Sequence, residues 1–358
     1  MASDRTPDRA PDRTPDRAPD RSPDRAPDRS PDRAPDRTPD RAPDRSPDRA
    51  PDRTAARTVA QALAGRVVVL DGGLSNQLEA QGCELADALW SARLLADAPG
   101  QIAAAHTAYV RAGAQVLITA SYQATFEGFA RRGLGRRETA ELLRRSVSLA
   151  RDAGEGRAWV AASVGPYGAM LADGSEYRGR YGLSVRELVT FHRPRVEALA
   201  AAGPDVLALE TVPDVVEAEA LLRAAEGCGV PVWLSYTVAG GRTRAGQGLA
   251  EAFAVAAGNE QVVAVGVNCC EPAEAAEAVA TAVAVTGRPA VVYPNSGERW
   301  DAEARGWRGA SGYGPADAAA LAAQWAAAGA RLIGGCCRVG PETVAALASA
   351  VGKMPGRG

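Results

Sequence analysis

The chain has 358 residues, a formal net charge of −2, 6 cysteines and 2 histidines. Charge this balanced, with no basic patch or polybasic run, argues against a nucleic-acid or membrane-surface binder. Six cysteines are too sparse for a disulfide scaffold, and two histidines cannot supply the clustered imidazoles of most metallohydrolases. Lys353 is the only lysine, so Schiff-base chemistry on a strand lysine is excluded as well.

From residue 4 to about 53 the chain repeats P-D-R-x, with x being Thr, Ala or Ser. Each repeat carries one acid, one base and one proline, and no apolar side chain larger than Ala. Such a segment cannot bury enough surface to offset its ordering entropy, so a disordered tail is expected over residues 1–56. The opening residues lack the apolar stretch of a signal peptide, and no run approaches the length of a spanning helix; a reducing, cytoplasmic setting is expected.

The remainder, 57–352, alternates short β-rich apolar runs with Ala/Leu/Glu/Arg-rich helical patterns. Strands are predicted at 67–71, 116–121, 159–164, 206–210, 232–237, 263–269, 290–295 and 332–336, and most are continuously apolar, as strands covered on both faces are. Helices are predicted at 99–112, 138–153, 184–202, 215–226 and 315–328. About eight strand–helix units in about 300 residues point to an α/β fold of the (β/α)8, TIM-type barrel class. The competing doubly wound sheet normally carries a Gly-rich phosphate turn, and neither G-x-G-x-x-G nor a P-loop is present.

Barrel enzymes place their chemistry at the C-terminal ends of strands, which turns the strand list into a list of candidates. The ends in order carry Asp71-Gly72-Gly73, Tyr122, Ser163, Glu210, Tyr236, Asn268-Cys269-Cys270, Asn295 and Gly334-Gly335-Cys336-Cys337. Cys269 ends the sixth strand, and Cys336 and Cys337 end the eighth. Three thiolates without a fourth protein ligand match a catalytic zinc site that keeps one position open, and soft sulfur favours Zn2+ over Mg2+, Ca2+ or Mn2+. Gly334 and Gly335 fit a sharp backbone turn there. The bland reading is that these cysteines are small core hydrophobes. It holds for Cys83 and Cys228 and leaves Cys270 ambiguous; for adjacent cysteines after two glycines at a barrel rim the metal is the better reading. His106 and His192 sit inside helical patterns and read as packing or capping groups.

Asp71 and Glu210 end apolar strands. Either they recognise an α-ammonium group, with the glycine N–H groups after Asp71 binding a carboxylate, or they pair with arginines. An open zinc position can bind and deprotonate a substrate thiol, giving a nucleophile without a histidine base. A methyl sulfonium is then a suitable electrophile because its leaving group departs neutral, and Tyr122, Tyr167 or Trp300 could favour the cation. The rivals are a barrel glycosidase using Glu210 and Glu298 and a non-catalytic zinc or redox thiol protein.

The blocks D-G-G-L-S-N-Q-L-E-A-Q-G, I-T-A-S-Y-Q-A-T, S-V-G-P-Y-G-A, D-G-S-E-Y-R-G, F-H-R-P-R-V-E-A-L, V-Y-P-N-S-G-E and R-L-I-G-G-C-C-R resemble the homocysteine S-methyltransferase family, over essentially everything after the tail. Among its members the bacterial enzymes that use S-methylmethionine are most similar. The resemblance implies a zinc-bearing barrel that methylates homocysteine to methionine from a methyl-sulfonium donor, S-methylmethionine or else S-adenosylmethionine. It carries the metal ligands onto Cys269, Cys336 and Cys337, and homocysteine recognition onto Asp71, Gly72 and Glu210. The chain departs from the family pattern at Gly73, where Ala is usual, at Cys270, in the glycine- and arginine-rich loop 239–248, and in the tail.

Overall fold

The computed structural model describes residues 58–85, 90–301, 306–308 and 311–354; the tail expected over 1–56 lies outside them. Eight parallel strands form one sheet: β1 (Val68–Val69), β2 (Val116–Ile118), β3 (Trp159–Val164), β4 (Val206–Val212), β5 (Val232–Tyr236), β6 (Val262–Asn268), β7 (Ala290–Tyr293) and β8 (Ala330–Ile333). Their spatial order is β1-β8-β7-β6-β5-β4-β3-β2. A parallel bridge between Leu70 and Val116 closes the β1–β2 seam. Two backbone bonds reinforce it, Gln115 N to Val69 O at 2.8 Å and Asp71 N to Val116 O at 3.1 Å. The expected barrel class is therefore the observed one.

Continuous apolar runs are explained by the two cores they serve. Successive strand side chains point to opposite faces, so Val206 and Ala208 of β4 enter the barrel interior while Leu207 and Leu209 pack outward against helices. Trp159, Trp233, Val291, Tyr293 and Leu332 fill the same interior. A short helix, Val59–Gly65, adds Val59, Ala62 and Leu63 to that interior beside the residues that begin the strands. It is stapled by a reciprocal cap, in which Gln61 N donates to Thr58 Oγ1 and Thr58 N to Gln61 Oε1. The N-terminal mouth is thus covered, and the polar strand ends gather at the other.

Outer helices follow the expected pattern at Pro99–Arg111, Arg136–Gly154, Val185–Ala200, Val215–Ala225 and Ala318–Ala328. Several predicted strands are longer than the observed ladders. Asp71, Ser121, Asn295 and Cys336 lie past the regular pairing because those residues leave the sheet to build its rim. Two antiparallel ribbons were not foreseen, Val238–Ala239 with Arg242–Thr243 and Arg299–Asp301 with Gly306–Arg308. No helix among the described residues is long and apolar enough to cross a membrane.

Candidate active site

The end of β8 continues its hydrogen bonding beyond the strand. Gly334 N donates to Val292 O at 3.0 Å, Gly335 N to Asp71 O at 3.1 Å and Cys336 N to Pro294 O at 2.8 Å. Neither glycine has a positive φ, so the sharp turn expected of them is not the reason for their presence. Space is: a Cβ at Gly334 would lie 2.5 Å from Leu70 Cβ, and one at Gly335 would lie 2.0 Å from Val339 Cγ1. The chain must pass between β1 and the Val339 turn to deliver two consecutive cysteines. Asn295 Oδ1 then accepts from Cys337 N at 3.1 Å and holds the second of them.

From the other side, β6 ends at Asn268 and the backbone turns into the left-handed region at Cys269, φ 52°. Asn268 is fully buried and braces that turn. Its Oδ1 accepts from Thr211 N at 2.7 Å and Ser235 Oγ at 2.8 Å, and its Nδ2 donates to Thr211 Oγ1 at 2.7 Å. Thr237 Oγ1 donates to Cys269 O at 3.0 Å.

These two turns bring the three predicted sulfurs together. Cys336 Sγ lies 3.3 Å and Cys337 Sγ 3.7 Å from Cys269 Sγ, and all three fall within 4.8 Å of one another. All six cysteines are free. Zn–S bonds of about 2.3 Å at tetrahedral angles place sulfurs about 3.8 Å apart, so the cluster has the size a zinc ion requires. Tyr177 Oη sits 3.3 Å from Cys269 Sγ. Hydrogen bonds from Cys336, Cys337 and Tyr177, with the charge of Arg244, hold the Cys269 thiol well below its ordinary pKa, while sharing that thiolate pushes Cys336 and Cys337 up. One stabilised thiolate flanked by two thiols is a soft anionic site.

Cys270 does not join it. It is buried in the outer core, where burial raises its pKa. Cys83 and Cys228 are half-buried elsewhere in that core. His106 is buried with neither ring nitrogen hydrogen-bonded, and burial lowers its pKa to about 4. His192 bonds Glu217 at 2.9 Å and Arg195 at 2.7 Å, and the same network reaches the loop after β3 through Arg195 to Gly165 O and Tyr167 N to Glu217. Both histidines are packing and positioning groups.

The two strand-end carboxylates are buried, Asp71 one backbone hydrogen bond from Gly335 and Glu210 close enough to feel the charge of Cys269. Asp71 Oδ2 accepts from Ile118 N at 2.8 Å, whereas Oδ1 is buried with no partner among the described residues. Burial, with the charge of Glu210, raises the Asp71 pKa well above its ordinary value. Glu210 accepts from Ser163 Oγ and, at 2.9 Å, from Tyr293 Oη; burial lifts it from 4.5 to about 7 against those bonds. Among the described residues neither carboxylate pairs with an arginine. Gly72 has no room for a side chain, since a Cβ would lie 2.2 Å from Val339 O. The N–H of Gly73 is taken by Val339 O at 2.9 Å.

Glu298 is committed elsewhere. It pairs with Arg338 at 2.9 Å and accepts from Ser296, and Arg338 holds it below the ordinary carboxylate range. No hydrogen bond or ion pair links it to the buried Glu210 among the described residues, and the three clustered thiols would stand idle in a glycosidase. The Tyr167 ring packs on Tyr181 and Phe191, while the Trp300 side chain lies outside the described residues. Tyr177 and Glu176 were carried only inside the D-G-S-E-Y-R-G block; their contiguity with an aromatic and a carboxylate was the available signal.

The family described as homocysteine S-methyltransferase matches residues 68–351. The chain is 47% identical over 308 residues to homocysteine S-methyltransferase 4 of Zea mays, covering 80% of this chain and 90% of that one. It is 48% identical over 292 residues to the homocysteine S-methyltransferase of Escherichia coli K12, covering 78% and 94%. The metallated crystal form of the E. coli homocysteine methyltransferase MmuM superposes with a TM-score of 0.71 at 46% identity, over 79% of this chain and 96% of that one. A matching family over most of the barrel, near-full-length relatives and a zinc-sized thiol cluster agree, and the chain belongs to the homocysteine S-methyltransferase family.

Proposed function

We propose that this chain transfers a methyl group from S-methylmethionine to homocysteine, forming methionine, within a barrel domain spanning 57–352 that follows the 1–56 tail. The observation that carries the reading is the convergence of Cys269, Cys336 and Cys337 Sγ atoms at a rim that also carries the buried carboxylates Asp71 and Glu210. The three cysteines would hold Zn2+, which when bound supplies the Lewis acidity that ionises a substrate thiol near neutral pH.

The chain's own residues supply the rest. Asp71, through its unpartnered Oδ1, and Glu210 receive the homocysteine ammonium, and the Gly72 N–H faces its carboxylate. Holding both ends fixes where the substrate sulfur lies, and positioning of two reactants is worth much of the barrier in a bimolecular transfer. The methyl–sulfur bond of the donor breaks as the new carbon–sulfur bond forms to homocysteine. The electron pair stays on the donor sulfur, which departs as a neutral thioether, and the thiol proton goes to solvent. No protein acid is needed.

S-methylmethionine is preferred to S-adenosylmethionine on the resemblance to bacterial enzymes. A reducing, cytoplasmic compartment suits a site that works only with three free thiols. The test is a donor panel with homocysteine, scored by methionine formed, on protein of measured zinc content. Turnover with neither sulfonium, or full turnover after zinc removal, overturns the reading.

A further inference from the structure

Homocysteine brings one ammonium, and Asp71 and Glu210 suffice for it. A third carboxylate is left over. Glu176 lies in the 3-10 turn Ser175–Tyr177, 6% exposed, with Oε2 buried and unpartnered among the described residues. Its neighbour Tyr177 contacts Cys269 Sγ at 3.3 Å, and its charge is felt at both Cys269 and Tyr122. The turn is seated tightly, because a Cβ at Gly168 would lie 2.4 Å from Glu176 N and 2.7 Å from Tyr181 Oη.

Nearby cations do not neutralise Glu176. Arg178 faces Asp173 at 3.9 Å, the Arg180 guanidinium donates to Ala245 O, and Arg244 lies over the Tyr177 ring at 5.5 Å with Nε 3.4 Å from Thr237 Oγ1. An unpaired buried carboxylate is costly, and a bound cation offsets that cost.

We infer that Glu176 binds the positive charge of the methyl-sulfonium donor, with the Tyr177 ring beside it and Arg244 placed for the donor's carboxylate. This rests on the sulfonium-donor reading above. A carboxylate at this position acts on donor affinity rather than on the chemical step, because the charge it reads is present on binding.

The test compares wild-type and Glu176→Gln enzyme, zinc-loaded, for equilibrium binding of S-methylmethionine and S-adenosylmethionine without homocysteine and for the kinetic constants of both substrates. Loss of a charge-assisted contact predicts donor Kd and KM raised about 10- to 100-fold, with kcat, homocysteine KM and zinc content near wild type. Glu176→Asp, which keeps the charge, recovers donor affinity at least in part; it also covers the case in which the Gln variant fails to fold. Inhibition by trimethylsulfonium, which has no ammonium, assigns the charge being read. Weakened inhibition in Glu176→Gln marks the sulfonium, and unchanged inhibition alongside weakened donor binding marks the ammonium. Unchanged donor Kd and KM in Glu176→Gln overturn the inference. Inactivity of the wild type with both donors overturns the donor reading itself, a separate outcome.

Discussion

Replacing Glu210 with Gln should stabilise the ligand-free protein at alkaline pH while weakening homocysteine binding. In the folded chain burial lifts the Glu210 carboxyl from 4.5 to about 7, despite the bonds from Ser163 and Tyr293. The folded state therefore keeps this proton between those two values while the unfolded chain has lost it. Stability falls as pH rises through that window, and the cost is fully present above the folded pKa. A rise of this size corresponds to roughly 3 kcal/mol. Gln keeps one acceptor, and the Ser163 and Tyr293 hydroxyls can reorient toward its amide, so about 1 kcal/mol of hydrogen bonding is lost in exchange. Urea unfolding of reduced protein at pH 5 and pH 8 reads the balance. The variant should gain about 2 kcal/mol on wild type at pH 8 and little or nothing at pH 5, and its homocysteine KM should rise about 10- to 100-fold. The same loss of stability between pH 5 and pH 8 in both proteins would refute the reasoning.

Three further outcomes are expected. Cys336→Ala and Cys337→Ala should each lower zinc stoichiometry, measured by atomic emission, and abolish homocysteine methylation, which readdition of zinc does not restore. Asn268→Ala removes the brace on Cys269 and orphans the Thr211 N–H; urea unfolding should show a loss of roughly 2–3 kcal/mol, and a competing chelator should strip zinc at lower concentration. Gly335→Ala drives a methyl into Val339, so a loss of about 1–3 kcal/mol by calorimetry and reduced zinc content are expected; unchanged stability would show that the Val339 turn yields freely.

Much of this protein was legible in its sequence because its signals are local. Continuous apolar runs of strand length, separated by capped helical patterns, specify a parallel sheet covered on both faces, and eight of them specify a barrel. Strand ends are marked where an apolar run meets a polar residue, so Asp71, Glu210, Cys269 and Cys336 could be read as rim residues without coordinates. Cys269 is preferred to Cys270 because it completes the V-N-C strand end, with Cys270 leading into the next helix.

Tertiary structure decided what depends on distances between segments far apart in the chain. The three-sulfur cluster joins Cys269 to cysteines 67 and 68 residues further along, and only the closed sheet brings them within reach of one ion. Gly334 and Gly335 announced a special backbone, but their reason, a narrow passage past Leu70 and Val339, is a property of packing and not of φ. Whether a rim carboxylate is paired or left open could not be read from residue type: Glu298 finds Arg338, while Asp71 keeps one buried oxygen unpartnered among the described residues. The cysteines thus declared a metal site by composition and position, and the fold supplied the convergence and burial that make it a thiol-methylating one.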